Sequence, residues 1–215
     1  MKNIVTIDFD IIMGPSIDGY NDLITEDMSM RELSKRFPYF GMAEADLYVY
    51  EYVTRYLTDI LMHIEDKDKI KFISTHELVY HICKKETEKF NLVNIDHHHD
   101  INYNNDWSKP IIDINEGNWV KRLFDMNKVN KYAWIGNSNS VMFDIDQCPF
   151  KEQIEMTILR DYNLGELSGR TDELICCMSA DYIPPLYHPL FLTWRAIAEE
   201  IMDTDYLIID NKDNL

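Results

Sequence analysis

Five consecutive residues, Asp96-His97-His98-His99-Asp100, place two carboxylates and three imidazoles in one short stretch, and both are groups that hold divalent metals. An apolar run, Leu92 to Ile95, leads directly into them, which sets the cluster at the end of a buried strand rather than in a surface histidine tract. In extended backbone, side chains two apart share a face, so Asp96, His98, Asp100 and Asn102 point one way and His97 and His99 the other. The reading is three ligands, with His97 and His99 outside the ligand set. Oxygen-rich ligation with one or two imidazoles suits Mn(II), with Fe(II) or Co(II) as alternatives, better than structural zinc, which more often recruits cysteine. The four cysteines, Cys83, Cys148, Cys176 and Cys177, lie elsewhere, form no CxxC pair and read as reduced structural residues.

Metal-capable side chains follow other strand-like runs as well: Asp8 and Asp10 after Ile4 to Ile7, His76 after Phe72 to Ser74, and Asp181 after Cys176 to Met178. A single aspartate in such a place is ordinarily a cap or turn residue, and Asp8 and Asp10 do precede a Gly14-Pro15 turn signal. Several such ends brought to one edge of a parallel sheet make a site instead.

The elements that must position them are legible as a pattern. Apolar, β-branched runs at Asn3 to Ile7, Ile70 to Ser74, Leu92 to Ile95, Tyr132 to Ile135, Ser140 to Phe143, Met156 to Leu159, Leu174 to Met178 and Tyr206 to Ile209 read as buried strands. Helical spacing runs from Ala43 to Ile64, where Leu47, Tyr50, Val53, Leu57, Ile60, Leu61 and Ile64 form a core face. Weaker versions cover Glu77 to Phe90, Trp119 to Met126 and Pro189 to Met202, the last with proline in its first turn. Asn21 to Tyr39 and Asn102 to Gly117 read as loops. This alternation predicts an α/β fold in a single domain over 1–215, a mainly parallel sheet of about eight strands flanked by helices.

Composition narrows the partners. With 21 basic against 38 acidic residues the formal charge is −17, a surface that repels nucleic-acid phosphates and anionic membranes and favours a cationic substrate or a metal. The N-terminal MKNIVTIDFD becomes acidic before a signal-peptide apolar region forms, and no apolar run approaches the roughly 18 residues of a membrane span, so a cytoplasmic location is expected.

Three stretches together resemble the arginase and deacetylase superfamily. Asp96-x-His98-x-Asp100 followed by Ile101-Asn102 is similar to its metal-binding strand, Thr75-His76-Glu77-Leu78 to the segment carrying a further metal histidine, and Ser179-x-Asp181 with a following proline to its Ser-x-Asp-x-Asp motif, except that Ile183 stands where the second aspartate belongs. The order Ile7-Asp8-Phe9-Asp10, the central motif, Gly117-Asn118-Trp119, Trp134-Ile135 and Asp172 to Pro184 resembles a compact branch of the superfamily that includes peptide arginases. The resemblance implies an αβα three-layer fold and two Mn2+ held by His76, Asp96, His98, Asp100 and Asp181, with Asp10 available to replace the aspartate lost at Ile183. It also implies an activity: hydrolysis of arginine side chains in a precursor peptide to ornithine, with release of urea. In that scheme Asp100 and His98 are catalytic, and Asp8, Asn102 and Asn118 contact substrate.

Three other readings stand beside it. Ile95-Asp96-His97-His98 is also similar to the metal motif of Asp-His-His phosphoesterases, with Asp8 as their leading aspartate. Deacetylase-like hydrolysis of an acyl-amine and a non-catalytic, metal-stabilised peptide-binding module complete the set.

Overall fold

The computed structural model of the protein describes residues 1–13, 47–102, 107, 111–138, 140, 142, 144–179, 182–183, 187–203 and 209–210. Its strands are β1 (Lys2–Asp8), β2 (Ile70–Ile73), β3 (Phe90–Ile95), β4 (Val129–Gly136), β5 (Ile154–Ile158), β6 (Glu173–Cys177) and β7 (Ile209–Asp210). The helices are α1 (Leu47–Leu61), α2 (Glu77–Cys83), α3 (Trp119–Asp125), α4 (Gly165–Ser168) and α5 (His188–Ile201).

All strand pairs are parallel, in the order β5-β4-β3-β1-β6-β2-β7. The fold is therefore α/β, as expected, with, among the described residues, six strands of four residues or more and a two-residue strand at one edge rather than about eight. Of the run expected as a strand at Ser140 to Phe143, the described residues Ser140 and Met142 belong to no strand. Ser140 instead bonds back to Asn137 in a turn directly after β4.

Strands in the middle of this sheet are covered on both sides, so they read as continuous apolar runs. β6 is buried at every position, and β1 from Ile4 onward. One face packs under α1, α4 and α5 through Val53, Leu57, Ile60, Phe191, Trp194 and Ala198, the other under α2 and α3 through Leu78, Val79, Ile82, Trp119, Val120 and Leu123.

Two helices differ from expectation. Leu47, placed on the core face of α1, is exposed at the first turn, before the helix reaches the sheet. Glu77 to Phe90 was expected as one helix, but α2 stops at Cys83 because Phe90 is taken up as the first residue of β3, pairing with Lys2 and Val129. The loop expected at Asn21 to Tyr39 lies outside the described residues.

Across the sheet, β1 has β3 on one side and β6, then β2, on the other, so the carboxyl ends of these four strands flank the place where connections diverge. Ligands gather in crevices of this kind.

Candidate metal centre

The site grows from the carboxyl ends of β1, β2, β3 and β6. Side-chain alternation puts Thr6, Asn94 and Cys177 on the α2/α3 face, opposite Val5, Ile7, Val93, Ile95 and Cys176. Continuing that alternation, Asp8 and Asp96 extend the same face beyond the strand ends.

At Asp8 the chain enters a 3-10 turn, Phe9–Ile12, whose Asp10 N–H donates to Asp8 Oδ1 at 3.3 Å. Phe9 is fully buried against Trp194 (4.9 Å between ring centroids), Phe191 (5.5 Å) and Tyr50 (6.3 Å). This aromatic cluster pins the turn from the helix side, with the two aspartates on either side of the anchored residue.

His76 occupies the N-cap position of α2. Its Nε2 lies 3.0 Å from Thr6 Oγ1, and its Nδ1 lies 3.0 Å from Asp8 Oδ2, 3.1 Å from Asp96 Oδ2 and 2.8 Å from Asp100 Oδ2. Nδ1 thus sits at ion-pair distance from three carboxylates without a well-formed hydrogen bond to any of them. On the other side of Asp96, His98 Nδ1 lies 2.8 Å from the buried Asp10 Oδ2, an ion-pair approach.

Two ligand groups follow from these positions. Asp8, His76 and Asp96 present ligand atoms within 4.8 Å of one another, and so do Asp10, Asp96 and His98. Asp96 belongs to both. Asp100 adds a further carboxylate against His76.

The backbone that carries these residues is not the extended strand expected for Asp96 to Asn102. β3 stops at Ile95 and Asp100 adopts φ 52°, a left-handed conformation that aspartate tolerates better than most residues. The turn forms because polar groups fill it: His98 N–H donates to Asp96 Oδ1 (2.8 Å), Ile101 N–H to His99 Nδ1 (3.1 Å), and Trp134 Nε1 to the Asp96 carbonyl (2.9 Å). Ser179, at φ 42°, is the second left-handed residue at the site and donates to Asp8 Oδ2 at 2.6 Å. Two such conformations meeting at one cluster mark a place where local strain is held by the surroundings.

Each inner carboxylate also receives a neutral donor: Asn94 Nδ2 to Asp96 Oδ2 (2.9 Å), Trp119 Nε1 to Asp100 Oδ2 (2.7 Å), His97 N–H to Asp10 Oδ1 (3.2 Å). These donors orient oxygens without neutralising them. Asp8, Asp10, Asp96 and Asp100 are all buried, and buried carboxylates demand either protons or cations. Burial accordingly pushes the Asp96 carboxyl up to about 7, with the charge of Asp100 adding to it. Asp8 is raised by burial and then by Asp10, and Asp100 by burial against the pull of His76. Burial works against the charged imidazoles, yet Asp8, Asp96 and Asp100 hold His76 well above its ordinary value, and Asp10, Asp96 and Asp100 bring His98 up to about 10. Retained protons neutralise this cluster; a divalent cation does the same and displaces them.

His97 and His99 fall outside both ligand groups. Burial, then His98, push the His99 imidazole down to about 4, so it is neutral, and its ring packs edge-on against Trp134 (6.0 Å). Asn102 is buried with Nδ2 unpartnered. Asn118, expected to contact substrate, has its amide committed at both ends to its own loop, Oδ1 to Asn115 N–H and Nδ2 to the Asp113 carbonyl, each at 3.0 Å. Asp8, expected as a substrate contact, stands instead in the first ligand group. Asp181 lies outside the described residues. Ile183, where the resemblance leads one to look for an aspartate, is fully buried in the core under α5.

Ser179 is named only as part of the Ser-x-Asp-x-Asp resemblance, and Thr6 and Asn94 are given no role in the sequence reading. Thr6 and Asn94 carried a signal, since each precedes a site aspartate by two residues in a strand and so shares its face. The four cysteines are free and buried, as read.

Fold and cluster together define an α/β protein with a buried group of aspartates and histidines able to hold metal. Comparison of the chain with protein-family models, with curated proteins and with solved structures returns no match.

Proposed function

We propose that the chain is a metal-dependent hydrolase of the arginase type, converting arginine side chains of a precursor peptide to ornithine and urea in the cytoplasm. The observation that carries this reading is Asp96, shared by two ligand groups of which each adds one histidine and one further aspartate. Asp8, His76 and Asp96 are the residues to hold one ion, and Asp10, Asp96 and His98 the second. The donor set of oxygens with one imidazole per group fits Mn(II), and two of the buried side-chain atoms without a well-formed hydrogen bond, His76 Nδ1 and Asp10 Oδ2, belong to residues of these groups. When bound, divalent ions supply the charge that makes water a nucleophile near neutral pH.

The chain's own groups do the rest. Asp100, fixed by the Trp119 indole and raised by burial, is placed to take a proton from attacking water. The aspartates balance the cationic guanidinium as its carbon is attacked and the amine leaves. Asp10 beside His98 fills the role that Ile183 leaves vacant.

Incubating the manganese-loaded chain with free arginine and with arginine-containing peptides, then assaying urea, tests the proposal; absence of urea from both sinks it. A phosphoesterase of the Asp-His-His type is the second reading, favoured by the approach of Asp10, from the Asp8/Asp10 pair, to Asp96 and His98. Phosphate release from a small phosphodiester, without urea, selects it.

No helix among the described residues is long and apolar enough to cross a membrane.

A further inference from the structure

Among the described side chains of the inner site, one is open to solvent and the others are buried. The side chains of Asp8, Asp10, His76, Asp96 and Asp100 are at most 4% exposed, whereas that of His98 is 22% exposed. Of these side chains, His98 is the one that solvent reaches.

Two residues flank that opening. The ring of Tyr182 lies 5.7 Å from the His98 ring, tilted by 58°, and is itself partly exposed. Tyr182 is set there by a turn after β6, its N–H bonding the Ser179 carbonyl at 2.9 Å. Its hydroxyl is hydrogen-bonded to Glu116, also partly exposed.

Glu116 is held by a stiff piece of chain. Asn115 Oδ1 accepts from Gly117 N–H, while the amide of Asn118 ties Asn115 and Asp113 together, each bond at 3.0 Å. Directly afterwards Trp119 bonds Asp100, and the N–H groups of Val120 and Lys121 bond the carbonyls of Asp100 and Ile101 at 3.2 Å. One short segment thus reaches from the floor of the cluster to its mouth. After burial, the groups that act most strongly on the Tyr182 hydroxyl are Glu116, Asp100 and Asp10, all acids.

We infer that Glu116 and Tyr182 form a clamp for a planar cationic group of the substrate, the Tyr182 face stacking on it and the Glu116 carboxylate pairing with it in front of His98. A guanidinium matches both halves, since it stacks on aromatic faces and bonds carboxylates in bidentate fashion. The Glu116 carboxylate works against an anionic phosphodiester at the same position. This deepens the arginine-hydrolase reading and rests on it for the identity of the substrate, but it is testable apart from turnover.

The probes are a short arginine-containing peptide and the same peptide with citrulline, a neutral side chain of nearly equal shape, titrated into the Mn(II)-loaded full chain. The parent is expected to prefer arginine by about tenfold or more, Glu116→Gln to lose most of that preference with unchanged metal content, and Glu116→Asp to recover part of it. Where urea is released, Glu116→Gln raises KM with little change in kcat, as a binding contact does. Should Glu116→Gln not fold, Tyr182→Leu, which removes the stacking face, takes its place and should weaken binding of the arginine peptide, unchanged affinity overturning the clamp. A parent that binds both peptides alike, or a Glu116→Gln chain that keeps the full preference, overturns the clamp. A strong, Glu116-dependent preference without urea upholds the clamp and refutes the arginase reading alone.

Discussion

Thr6 Oγ1 and His76 Nε2 stand 3.0 Å apart inside the sheet edge, and this contact decides which nitrogen of His76 faces the carboxylates. With Nε2 engaged by the hydroxyl, Nδ1 is the atom presented to Asp8, Asp96 and Asp100. Thr6→Val keeps the shape of a fully buried side chain and removes only the hydroxyl. The expected result is a folded protein whose Mn(II) affinity falls about 10- to 100-fold, the usual effect of deleting the group that orients a ligating histidine. Competition against a chelator of known affinity measures it, and unchanged affinity means that His76 does not depend on Thr6.

The sharing of Asp96 predicts a stoichiometry. The parent should carry two Mn(II) per chain by elemental analysis. Asp10→Asn, which disturbs only the group containing His98, should retain one. Asp96→Asn, which touches both groups, should retain none at ion concentrations that saturate the parent. Two ions bound to Asp96→Asn would show that the cluster does not work as a pair of sites joined by this residue.

The distribution of what was legible follows from how local each signal is. The strands of the central sheet are continuous apolar runs and could be read directly, and Asp96, His98 and His76 follow them in sequence, so their convergence at one edge was foreseeable. The extended path for Asp96 to Asn102 was not realised, because the hydrogen bonds that turn the chain come from Trp134, a neighbour on β4, as well as from within the loop. Asp8 and Asp10 illustrate the same limit. Their types and position were visible, but only the register of β1 beside β3 decides that one belongs with His76 and the other with His98. The end of α2 at Cys83 is likewise settled by pairing of Phe90, which helical spacing cannot reveal.

Phe9 tests whether packing on the far side of the sheet positions these aspartates. It is fully buried among Tyr50, Phe191 and Trp194, so Phe9→Ala should cost about 3–5 kcal/mol of stability by urea unfolding, as large-to-small core changes do. Because the residue lies between Asp8 and Asp10, the folded fraction should also bind manganese more weakly than the parent. Phe9→Leu, which refills most of the volume, should restore binding before it restores full stability. Full metal affinity in Phe9→Ala would show that the turn is fixed by something other than this aromatic anchor.

The two edges of the sheet should respond to pH with opposite sign. At the amino edge, burial alone would raise Glu173, but Lys2 and Lys71, each 2.5 Å away, hold it below the ordinary 4.5. Its stabilisation is therefore present above that value and is lost as pH falls through the folded one. At the carboxyl edge Asp96 is raised from 3.8 to about 7, so the folded chain keeps a proton that the unfolded chain has already released, and its stabilisation is complete at low pH and lost as pH rises toward 7. Manganese binds the ionised carboxylate and removes the second effect. In chelator, Tm should fall as pH rises from about 5 to about 7.5; with Mn(II) present it should not, so the metal-induced gain in Tm widens with pH. Glu173→Gln should lower Tm at neutral pH and converge on the parent near pH 4, leaving the metal-dependent gain intact. A gain in Tm that is independent of pH would show that the carboxylates carry no displaceable protons, and that the cluster is not the place where the ions bind.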